Sequence, residues 1–116
     1  MGTDSGKAIG IGTALQVLMV VVGHLAPSLQ AMGLFPIVGT LLGGVTGWLA
    51  AAQPASAGTR SMTGATAGAV AGVLGSLVST ALGDVPVANA LIAGCATLVS
   101  GAIGGALRKP VARVAA

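Results

Sequence analysis

Few side chains in this sequence could do chemistry, and their spacing keeps them apart. The carboxylates are Asp4 and Asp84, the only histidine is His24 and the only cysteine is Cys95. A general acid and a general base must both reach one reacting group. Asp4 and Asp84 fall at opposite ends of the apolar segments described below, so they cannot act as a pair. One His and one Cys do not make a metal site, and a lone Cys forms no internal disulfide. A His24–Asp84 contact is open to the chain, and two separately solvated residues are the plainer reading. Cys95, among small apolar neighbours, reads as a core thiol. Gln16 lies in the middle of an apolar run, where an amide serves as polar glue between helices or lines a pore. Asn89 reads as a capping or packing residue. "LGGVTG" and "IGGAL" are glycine-rich but lack the lysine of a phosphate loop. The expectation is a protein that is not an enzyme, with no catalytic residues, no cofactor and no metal.

Composition explains this poverty. Of 116 residues, 54% are hydrophobic and 6% charged, and the mean hydropathy is +0.99. Soluble domains carry about 25% charged residues, so these residues cannot clothe a soluble surface. The net charge is +3, yet five basic residues with one Trp, one Phe and no Tyr offer neither a basic face nor a stacking platform. Nucleic acid is not an expected partner.

Four apolar stretches, at about 8–25, 32–52, 64–82 and 85–107, each approach or exceed the length of a membrane-spanning helix. None alternates with a period of two, so helices rather than a barrel are expected. The first follows Lys7 like a signal peptide, but it is longer than the usual apolar region of one and reads as a retained span. "HLAPSLQ", "QPASAGTRSM" and "GDVP" separate the stretches. Gly83 suits a helix stop, Pro86 the first turn of the last helix, and Pro36 the first turn of the second. The fold class expected is an all-α integral membrane protein: one domain of four transmembrane helices in two hairpins, with a basic tail, 108–116.

Charge orients this arrangement. With four spans, Lys7, Arg60, Arg108, Lys109 and Arg113 all fall on one side, and the other two connections hold His24 and Asp84. The positive-inside rule puts that side, with both termini, in the cytoplasm. The membrane expected is the bacterial cytoplasmic membrane or one derived from it. Trp48, Arg60, Arg108, Lys109 and Arg113 read as headgroup-level anchors, and the basic tail as an orientation signal or a binder of anionic lipid. A shift of 57 residues lays Leu34, Thr40, Leu41, Gly44 and Gly47 on Leu91, Thr97, Leu98, Gly101 and Gly104. A tandem hairpin repeat would produce that match, and so would the biased composition.

The stretch "TGATAGAVAGVLGSLVS" places Gly64, Gly68, Gly72 and Ser76 four apart. Lipid gives no hydrophobic gain when helices meet, so close backbone packing through small residues takes over. Gly39, Gly43 and Gly47 form a similar stripe, as do Ala93, Thr97, Gly101 and Gly105; Gly6, Gly10 and Ala14 are expected to do so on the first helix. Such stripes can close a single four-helix bundle or meet other subunits. Ser100–Gly104 beside Gly101–Gly105 gives the last helix a second smooth face. Hydroxyls at Thr40, Thr46, Ser76, Ser79, Thr80, Thr97 and Ser100 can bond between helices or back to their own backbone.

Residues 71–109, "AGVLGSLVSTALGDVPVANALIAGCATLVSGAIGGALRK", resemble the hairpins of small phage holins and holin-like membrane proteins. The likeness lies in a small-residue helix, a short Asp-Val-Pro turn, a second helix opening on Val-Ala and a basic end, over about a third of the chain. Two hairpins in tandem and a weakly charged tail depart from that pattern. The resemblance implies assembly in the cytoplasmic membrane into lesions, without catalytic residues. Two functions are therefore expected: a non-catalytic structural or accessory subunit, packed through glycine-rich faces into a larger cellular or virion membrane assembly, or a homo-oligomeric pore. The expected partners are the lipid bilayer and other membrane subunits or copies of the chain itself.

Overall fold

A computed structural model describes residues 3–52 and 55–109. The expected anchor Arg113 and the rest of the tail beyond Lys109 lie outside the described residues. Five helices follow one another: α1 (Thr3–Leu25), α2 (Pro27–Ala31), α3 (Leu34–Ala50), α4 (Ala57–Ala81) and α5 (Asn89–Leu107). Three of them, over Ser5–Leu25, Ala57–Ala81 and Asn89–Leu107, are long and apolar enough to cross a membrane. The fourth apolar helix, α3, has 17 residues.

The helix bounds differ from the apolar runs for local reasons. The second run, expected at 32–52, is cut by Gly33, whose φ of 69° lies in the left-handed region. Pro27 opens the short α2 before it. Pro36 stands third in α3, where a missing N–H leaves no gap. α4 starts at Ala57, well before 64, because the Ser56 hydroxyl accepts a hydrogen bond from the Thr59 amide and caps the helix. At its far end Gly83 (φ 81°) donates to the Thr80 carbonyl and Asp84 to that of Ser79. This Schellman closure stops α4 at the expected glycine. Pro86 does not enter the last helix. Its carbonyl accepts from the Asn89 amide in the turn that leads into α5.

α1 and α4 run parallel, and α3 and α5 run parallel to each other in the opposite sense, as two hairpins laid side by side would. α4 packs against α1, α3 and α5, and α3 against α1, α4 and α5, while α1 and α5 do not pack on each other. The bundle is therefore a rhombus with α3 and α4 on its short diagonal. Glycines set the distances. A Cβ on Gly47 would strike the backbone of Gly101, one on Gly64 the Gly101 carbonyl, one on Gly68 that of Thr97, and one on Gly105 that of Arg60. A Cβ on Gly104 would strike the Gly44 carbonyl. The last contact and the Gly47–Gly101 contact exchange under the 57-residue shift, as a local two-fold between α3 and α5 would require.

On α1 the buried stripe is not the expected Gly6, Gly10 and Ala14. Those residues are exposed, and a Cβ on Gly6 or Gly10 would meet nothing within 4 Å. Ser5, Ala8, Gly12, Gln16, Val20 and Gly23 face inward instead. Their register is set by Thr46, whose Cγ2 would lie 2.6 Å from a Cβ on Gly12.

A methyl at Gly68 has no room beside backbone atoms, so Gly68→Ala should cost about 1–3 kcal/mol. Gly10→Ala should shift stability by no more than about 1 kcal/mol, in the stabilising direction. Unfolding in mixed dodecyl maltoside–SDS micelles, followed by far-ultraviolet circular dichroism, measures both. Equal stabilities would contradict this assignment of buried faces.

Candidate functional site

The bundle has a basic end and a His24–Asp84 end. Lys7, Arg60, Arg108 and Lys109 sit at the starts of α1 and α4 and at the end of α5, which these packing directions bring together. The expected anchors Trp48 and Arg108 touch there. The Arg108 guanidinium lies 4.1 Å from the centre of the Trp48 ring, and its Nη1 donates to the Trp48 carbonyl at 2.9 Å. Arg60 donates from Nη1 to the Ala55 carbonyl, and Lys109 is exposed.

Above this end the interior is tight and almost without side chains. Gly43, Gly47, Gly64, Gly68, Gly72, Gly101 and Gly105 are all buried, and each faces another helix of the same chain. Cβ atoms on Gly43 and Gly72 would both collide with Thr97. A Cβ on Gly39 would stand 3.4 Å from Gln16 and Met19, an ordinary contact.

Towards the other end, polar struts replace backbone contact. Gln16 is 4% exposed, and its Nε2 donates to the Gly39 carbonyl at 2.9 Å, joining α1 to α3. Asn89 Nδ2 donates to Ser76 Oγ at 3.0 Å, joining α5 to α4. At the rim, with the proton on Nδ1, the His24 ring donates to Asp84 at 3.0 and 3.1 Å. The expected hydroxyls mostly turn inward on their own helices: Thr40, Thr46, Thr80 and Thr97 each donate to the carbonyl four residues earlier. Ser61, which the sequence did not mark, donates across to the Ala102 carbonyl.

Between these struts α1, α3, α4 and α5 line a half-open cavity of about 330 Å³. Gln16, Gly39, Gly72 and Thr97 line it at one extreme, and Gly23, Gln30, Phe35, Val85 and Asn89 at the other. It extends for about 10 Å along α1, at 1.5 Å per residue. Neither Phe35 nor the enclosing geometry was visible as a site in the sequence, because the lining residues come from four segments with no shared motif.

Cys95 is exposed and not a core thiol. It lies one residue beyond Gly94 and two before Thr97 on a helix whose buried face runs through both. Among the described residues no group of three or more His, Cys, Asp or Glu side chains lies together. Set against protein-family models, curated proteins and solved structures, the chain matches none.

The His24–Asp84 contact is solvent-washed, with side chains 42% and 16% exposed. A double-mutant cycle of His24→Ala and Asp84→Ala should therefore give a coupling of about 1 kcal/mol or less. A larger value would show that the rim is drier than this geometry allows.

Proposed function

We propose that the chain is a non-catalytic integral membrane protein of four spans that serves as a packed structural subunit of a larger membrane assembly. The observation that supports it best is the use of the glycines. They close one bundle by backbone contact and leave large apolar side chains such as Leu91, Leu107 and Ile92 outside. In this reading the glycine faces make the subunit rigid, and the outward side chains meet lipid and neighbouring subunits.

The span count rests on direction. α1 and α4 are parallel, so if both cross, the chain must return between them, and α3 is the helix available to do it. Its 17 residues extend about 25 Å, the short end of what a bilayer needs. The clustering of Lys7, Arg60, Arg108 and Lys109 at one end supports a cytoplasmic placement of that end and of both termini. With Cys95 replaced by Ser, Ser28→Cys should react with an impermeant maleimide on intact cells. Thr59→Cys should react only after permeabilisation. The reverse pattern would invert the topology.

A holin-like pore is the second reading, favoured by the cavity and by the resemblance of residues 71–109. Within one chain the cavity stops above the glycine contacts, so such a pore would have to open between copies. Native mass spectrometry of the complex from its source membrane separates the two. The scaffold reading expects a fixed count of this chain beside other subunits and no leak when the chain is expressed alone. A ring of copies with leak of small solutes would replace it with the pore.

A further inference from the structure

We propose that the cavity at the His24–Asp84 end is a binding site for a small uncharged molecule with a hydrogen-bond donor on an otherwise apolar body. The inference does not rest on the scaffold reading; it stands on the space and on one amide.

Size comes first. Protein interiors hold few voids larger than a water molecule. A cavity of about 330 Å³ is roughly twice the size of an apolar pocket that accepts benzene, which points to an occupant of about a dozen heavy atoms.

Chemistry narrows it further. The Gly39 carbonyl can only accept, so the Gln16 amide must turn Nε2 towards it. That leaves Oε1 with no hydrogen bond among the described residues, on a side chain that is 4% exposed. Buried polar atoms are nearly always partnered. The enclosed side-chain atoms without a partner are Thr13 Oγ1 and Arg60 Nε, and Gln16 Oε1 is not one of them. It therefore retains an open approach, and Gln16 lines the cavity. A hydroxyl or amide N–H on an occupant would complete it. Met19, Val20 and Phe35 supply apolar wall. No lining residue is charged, so an ion would lose its hydration with nothing in return.

The test uses the full-length protein in detergent and a photoreactive benzyl alcohol, the trifluoromethyl-diazirine derivative, with labelled residues mapped by mass spectrometry. Label is expected on Met19, Val20 or Phe35. At equal micellar concentration, 2-naphthol should compete about fivefold or more better than naphthalene, the advantage of about one buried hydrogen bond. Gln16→Met should abolish that preference. Gly39→Ala provides a second variant that keeps the packing: its Cβ would stand 3.4 Å from Gln16 Oε1 and from Met19 Cε, an ordinary contact that occupies the approach to Oε1. It should reduce cavity labelling with an unchanged thermal melt. Three results would overturn the proposal: label confined to outward residues such as Leu91 and Cys95, equal competition by naphthalene, or an unchanged naphthol preference in Gln16→Met together with undiminished labelling in Gly39→Ala. The first would mean a water-filled or closed space, and the second a void that takes any hydrocarbon.

Discussion

Gly101 is touched from two sides. Gly47 of α3 approaches one face of it, and Gly64 and Gly68 of α4 approach another. No residue with a side chain could occupy that point, because a Cβ on Gly101 would collide with the Gly64 carbonyl. α5 is thereby wedged between the two helices of the short diagonal, at a separation that only backbone-to-backbone contact permits. In lipid this is where association energy comes from: dispersion and Cα–H to carbonyl contacts accumulate along the seam, with no hydrophobic term to help. A glycine in a soluble helix costs about 1 kcal/mol relative to alanine. Here the same residue provides the close approach on which the position of every other helix depends.

The two halves of the bundle follow from where that seam ends. Towards the basic end, Gly105 against Arg60 continues the close approach. Towards the other end the helices carry Met19, Val20 and Phe35, and α1 and α5 stand on opposite sides of the cavity. Contact through backbone is no longer available, and the struts Gln16–Gly39, Asn89–Ser76 and His24–Asp84 take over at successive heights. Each interhelical hydrogen bond within the membrane contributes only about 0.6 kcal/mol on average. The struts fix geometry more than they supply stability, and that combination leaves a cavity open without letting the helices part.

The class of the protein was legible from residue types, because a chain with 6% charge and long apolar runs has few alternatives. The stop at Gly83 was legible too, since a left-handed residue there closes a helix whatever surrounds it. Register was not. A four-residue spacing says that a helix has a smooth stripe but not which of two stripes is buried. α1 carries Gly6 and Gly10 on one face and Ala8 and Gly12 on another, and Thr46, a residue of a different segment, decides between them. Cys95 was misplaced for the same reason: one residue along a helix is a turn of about 100°, enough to carry a side chain from Gly94's buried face to the outside. The Ser56 cap was hidden because polar composition before Gly64 looks like loop when only hydropathy is read.

Charge does a separate job from glycine. No Asp, Glu, Lys or Arg lies between Arg60 and Asp84 or between Lys7 and Arg60, nor between Asp84 and Arg108. Between these positions a membrane potential would have no formal side-chain charge to act on. What charge there is sits at the ends, and two contacts there join different hairpins. His24 at the end of α1 meets Asp84 beyond α4, and Arg108 at the end of α5 covers Trp48 of α3. Both pairs are separated by 60 residues. Neither contact is strong, since exposed ion pairs and cation–π contacts are each worth about 1 kcal/mol or less. Their effect is positional. The seams already fix register at Thr97, whose side chain stands against Gly43 and Gly72. A polar clasp at each end, one per pair of parallel helices, adds a small preference for the same register of the two hairpins.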